Sequence, residues 1–221
     1  MAALAPLIRG SLQGHPLAQS FAAEVHRVHR RYAAEVVAKN GFCPFLRDVD
    51  TGFGRFCVML DPEPDVDTAL AAVHAAGTSV IHLVYPCTTR LVASPFEKFA
   101  GRLGEALKKA LRDPPVMATF HPALPGDGSN PFRLVGLLRR APDPFVQLIP
   151  EGLHEGGTMF AGAADLEETT TGEELDPAQA NFAKLHGGFL EKLVALMSEI
   201  RADRDRSYAP FLEAFAATAP T

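Results

Sequence analysis

Three side chains stand out by type and setting as able to do chemistry: Cys43, His121 and Arg139. Cys43 lies in Phe42-Cys43-Pro44-Phe45, on a tight turn just past the end of a predicted helix. A thiolate attacks or ligates where positive charge is near, whereas a helix carboxyl end is the negative pole and raises a thiol pKa. Arg47 or a bound metal would reverse that balance. Cysteine followed by proline also matches the short motif of some haem-thiolate sites. The alternative is a small hydrophobic residue wedged between Phe42 and Phe45.

His121, in Phe120-His121-Pro122, falls at the carboxyl end of a predicted core strand and opens a polar loop. That position suits a general base or a metal ligand, and equally a histidine that only bonds loop backbone. Arg133, Arg139 and Arg140 follow the loop, where guanidinium groups clamp a carboxylate or phosphate or simply face water. The remaining histidines read as structural. His82 sits mid-strand among apolar neighbours, as a satisfied buried histidine does. His26 and His29 have the spacing of a shared metal pair, but Arg27, Arg30 and Arg31 surround them, so a solvated basic face is expected. His154 and His186, each near a glycine pair, read as loop and helix-kink features.

Elements that position these residues follow from periodicity and punctuation. Phe21, Val25, Val28, Tyr32 and Val36 make the inner stripe of a helix from about Leu17 to Lys39, closed by Asn40-Gly41. Strands are expected at 56–60, 79–85, 116–121 and 145–149. Asp61–Asp65 caps a helix over about 66–76, and Ser94-Pro95 reads as the N-cap and first residue of a helix to about Arg112. Residues 134–140 are ambiguous. A mobile acidic loop is expected over 152–175, and a C-terminal helical segment over 176–217: a long helix over about 178–201, the charged stretch Arg201–Arg206 facing solvent, and a short last helix over 208–216. Strand-helix-strand-helix-strand argues for a single α/β domain with a βαβαβ core and a largely parallel sheet, whose ligands sit at the strand carboxyl ends.

Composition narrows the function classes. At 221 residues and 47% hydrophobic content the chain can bury one substantial core. A net charge of −5 offers phosphate backbones no attraction, so nucleic acid is not an expected partner. No apolar run approaches the ~20 residues of a bilayer span, Met1–Arg9 lacks the basic and long apolar regions of a secretory signal, and three scattered cysteines are no disulfide framework; a cytoplasmic protein is expected. G-x-G-x-x-G after a strand, the P-loop, G-x-S-x-G and H-E-x-x-H are all missing from the sequence.

Tyr32, Val36-Val37, Gly41-Phe42-Cys43-Pro44-Phe45, Leu83-x-x-Pro86, Phe120-His121-Pro122 and Leu137-Leu138-Arg139 occur in an order that resembles a bacterial family catalogued as domain of unknown function 1415. The resemblance spans about 18–151. It implies that fold and gives weight to Cys43 and His121, without implying a reaction. Three positions depart from the family pattern: Gly128-Ser129 replaces Asn-Arg, Gly136 a histidine and Arg140 a glutamate. Together these readings predict a small-molecule enzyme with Cys43, His121 and Arg139 at the strand carboxyl ends. Cys43 and His121 would ligate a transition metal or haem iron in an oxidoreductase, or serve as nucleophile and base, with Arg139 holding an anionic substrate. The competing expectation is a non-catalytic binding or regulatory protein in which Cys43 and His121 are structural and 152–174 contacts a partner.

Overall fold

The computed structural model describes residues 5–43, 46, 54–77, 80–88, 92–150 and 177–218. Its elements in chain order are β1 (Leu7–Arg9), α1 (Ala18–Tyr32, continued by a π-helix Ala33–Ala38), β2 (Arg55–Met59), α2 (Val66–Ala76), β3 (Ile81–Val84), α3 (Ala93–Ala110), β4 (Val116–Phe120), α4 (Pro131–Leu138), β5 (Phe145–Ile149), α5 (Pro177–Phe182) and α6 (Phe189–Thr218). The five strands form one sheet in the order β1-β2-β3-β5-β4. β1, β2 and β3 pair in parallel, while β5 is antiparallel to both β3 and β4, so β4 regains the common direction. The α/β architecture is as expected, with β5 as the one reversed strand.

The sheet is buried on both faces, which is why its strands are apolar runs rather than alternating ones. Phe56, Val58, Val84 and Phe145 face α1 and α6, meeting Phe21, Val25, Val28, Tyr32, Ile200 and Tyr208. Cys57, Met59, Leu83, Val146 and Leu148 face α2 and α3, meeting Ala69, Val73, Phe96, Phe99 and Leu103. Among the described residues no helix is long and apolar enough to cross a membrane.

Several boundaries differ from expectation. The N-terminal strand β1 was not anticipated, because three residues are too few for a period. Beyond Tyr32 the helix widens: Lys39 and Phe42 N–H donate to the carbonyls five residues back, of Ala34 and Val37, both at 3.0 Å. Gly41 then ends it at φ +59°, as the sequence predicted. Ser94 is not an N-cap; α3 begins at Ala93 with no side-chain cap, whereas Asp65 does cap α2 by accepting from the Thr68 N–H at 2.8 Å. The ambiguous 134–140 stretch is helical through Leu138, in a helix capped by Asn130. At the C-terminus the break falls early: Gly187 and Gly188, at φ +57° and +74°, separate α5 from α6. α6 then runs unbroken through the charged stretch and through Pro210. The predicted loop at 152–175 lies outside the described residues.

Candidate functional site

β4 delivers His121 to the carboxyl edge of the sheet, and α4 brings the chain back so that Arg139 lies beside it: the His121 N–H donates to the Arg139 carbonyl at 3.1 Å. The His121 side chain is wholly buried, with its ring against Phe96 at a centroid distance of 5.8 Å. Its Nδ1 accepts the Ala123 N–H at 3.1 Å. A neutral ring so bonded carries its proton on Nε2 and offers a donor there. To act as a general base or metal ligand through Nε2 it would first have to give up the Ala123 bond.

The three arginines after the loop have separate fates. Arg133 is exposed and paired with Asp127 at 2.6 Å. Arg140 donates from Nε to the Leu124 carbonyl and from Nη2 to the Gly126 carbonyl, both at 2.8 Å, tying the loop to the end of α4. Arg139 is half-buried, with its guanidinium over the Phe120 ring at 5.7 Å, and no carboxylate among the described residues lies within ion-pair distance of it. Burial lowers its pKa, and only the nearby Tyr32 opposes that. Tyr32 is itself buried and donates its hydroxyl to the Leu138 carbonyl, which fixes the backbone from which Arg139 projects.

Behind this edge lies a buried polar cluster that the sequence reading missed. Asp143 is 0% exposed. It accepts from Tyr208 Oη at 3.0 Å and from Arg204 Nε at 2.9 Å, and sits 3.0 Å from His29 Nε2. Arg204 Nη2 also reaches the Pro86 carbonyl at 2.9 Å, and its guanidinium stacks on Tyr208 at 4.6 Å. One carboxylate thus joins α1, α6, the end of β3 and the start of β5. Burial raises the Asp143 pKa, but the His29 hydrogen bond and the Arg204 charge outweigh it and hold the carboxyl below its usual range. Two expectations are corrected here. His29 is not on a solvated face but 3% exposed, and Arg204, inside the stretch expected to face water, is 14% exposed at its side chain. The missed signal was Asp143 between two prolines at a strand entrance: an acid in that place has backbone neighbours that cannot leave the core.

His82 is buried, as expected, with Nε2 3.1 Å from Gln147 Nε2. His26 is partly buried against Phe56, and burial, then the charges of Arg30 and His29, lower its pKa to about 4. Cys43 is half-buried where α1 ends. The residues before it are anchored from α5 and the turn that follows: Asn181 Nδ2 donates to the Phe42 carbonyl at 3.0 Å and Lys184 Nζ to the Gly41 carbonyl at 2.6 Å. Lys184 therefore puts a cation on the helix terminus that the sequence reading took as purely negative. Pro44, Phe45 and Arg47 lie outside the described residues. Among the described residues no three His, Cys, Asp or Glu are grouped as a metal would require.

Comparison of the chain with protein-family models, with curated proteins and with solved structures finds no match. The resemblance to domain of unknown function 1415 rests on the quoted motifs.

Proposed function

We propose that this chain is a small-molecule enzyme whose anionic substrate is held by Arg139 and receives a hydrogen bond from His121 Nε2–H. The observation that carries this reading is Arg139 itself. The chain has 26 acidic residues, yet none described is placed against this half-buried guanidinium. A cation taken from water without a counter-ion is costly, and an anionic ligand removes that cost. The Phe120 face beneath it leaves the guanidinium edge for in-plane, bidentate bonds to a carboxylate or phosphate. The His121 backbone bonds to that of Arg139, and its imidazole, held at Nδ1 by the Ala123 N–H, is the group we assign as hydrogen-bond donor to a substrate oxygen. The motif resemblance supports the same region, and we extend the proposal to membership of that family.

Cys43 joins this site as nucleophile, or as a thiolate ligand to a transition metal or haem, only if its sulfur comes within reach of His121; both bonds require contact at about 2–3 Å. Either role requires His121 to give up the Ala123 bond, because base and ligand alike need a free lone pair on Nε2. The test is thermal denaturation with inorganic phosphate and with malonate, for the wild type, Arg139→Met and His121→Gln. We expect a saturating stabilisation in the wild type, absent in R139M and retained in weakened form in H121Q. Equal stabilisation of wild type and R139M would overturn the proposal.

A further inference from the structure

A separate cleft opens between α6 and the turn from α4 into β5. Its volume is about 270 Å³, just under the ~300–1,000 Å³ of drug-sized sites, so it suits a metabolite-sized ligand. Arg139 does not line it, and the inference does not rest on that residue. Leu137, Val194, Met197 and Ile200 supply an apolar wall. Arg140 and Arg201 supply cationic groups, and among the described residues no acidic side chain lines the space.

Among the described residues each arginine keeps some donor capacity. Arg140 spends Nε and Nη2 on loop carbonyls, and its Nη1 has no protein acceptor among the described residues. Arg201 forms an ion pair with Asp205 at 3.6 Å, too long for a hydrogen bond, so its buried Nε has no hydrogen-bond acceptor among the described residues. A buried donor left unsatisfied is rare, and an acceptor on a bound ligand would satisfy it. Two arginines lining one cleft suit an anionic head group, and the apolar wall suits a hydrocarbon body.

We propose that this cleft binds an amphipathic carboxylate, an aliphatic or aryl acid with its head between Arg140 and Arg201 and its body against Met197 and Ile200. The test is isothermal titration of the full chain with octanoate, octylamine and inorganic phosphate. We expect saturable octanoate binding, no octylamine binding, and phosphate at least about tenfold weaker. Arg201→Gln should weaken octanoate by about tenfold or more. Val194→Glu, at a position 41% exposed and so compatible with folding, should do the same by setting a like charge at the rim. R139M should leave octanoate affinity unchanged. Absence of octanoate binding, equal binding of octylamine, unchanged affinity in both R201Q and V194E, or loss of binding in R139M would overturn the proposal.

Discussion

Replacing Asp143 by alanine removes the charge that four elements share. The carboxylate is fully buried, and its loss leaves Arg204, 14% exposed at its side chain, without its buried counter-ion, and Tyr208 Oη without its acceptor. Breaking a buried ion pair from one side costs about 3–5 kcal/mol, because the remaining charge keeps its desolvation penalty. For a chain of this size about 2–4 °C of melting temperature follows each kcal/mol, so D143A should melt about 6–20 °C lower. Asp143→Asn preserves the volume and isolates the charge; about 2 kcal/mol or more should still be lost. The assay is urea unfolding followed by circular dichroism, with calorimetry for the midpoint. The pH dependence has a definite sign. The folded-state pKa of Asp143 lies below its unfolded value, so its contribution is complete above the unfolded carboxylate pKa of about 3.9 and is lost as pH falls from there through the folded value. D143N should therefore flatten the acid limb of the stability profile. A D143A loss below about 1 kcal/mol, the scale of an exposed pair, would refute the reasoning.

Gly136→Ala would set a Cβ 2.1 Å from the Pro125 carbonyl oxygen, a backbone atom that cannot swing aside, so the variant should lose about 1–3 kcal/mol in urea titration. His26 should titrate near pH 4 by nuclear magnetic resonance. Its depressed pKa makes its share of stability complete above about 6.5 and progressively lost as pH falls through the folded value of about 4. A midpoint near that of a free histidine would contradict the burial argument. Native-state alkylation with iodoacetamide should label Cys43 first, because burial holds the Cys57 thiol up at about 11 and Cys87 at about 12. Labelling of Cys57 or Cys87 at the rate of Cys43 would show that these strand ends open.

Much of the scaffold was legible because its signals are local. The apolar runs around Val58, Leu83 and Val146 could only be buried strands, and Gly41 and Asp65 end and begin helices by backbone requirements that neighbours do not alter. The antiparallel insertion of β5 was not legible, since the partner of a strand is a tertiary choice. The unbroken α6 was misread for the same reason: Arg204 looks solvated until Asp143, 61 residues away in sequence, is brought to it. At the candidate site, Phe120-His121-Pro122 and Arg139 were read to the strand carboxyl ends, and the structure joins the His121 and Arg139 backbones there. What sequence could not supply was the sorting of three adjacent arginines, because it depends on the Asp127 side chain and the Leu124 and Gly126 carbonyls claiming two of them.

The most direct test of the central claim is the Nε–Hε resonance of Arg139 in ¹⁵N-labelled protein, assigned by its loss in R139M and followed while malonate and inorganic phosphate are added. The account predicts a saturating shift of that signal while the Arg133 signal, already paired with Asp127, stays in place. No shift at Arg139, or a non-saturating drift shared by all arginines, would contradict it.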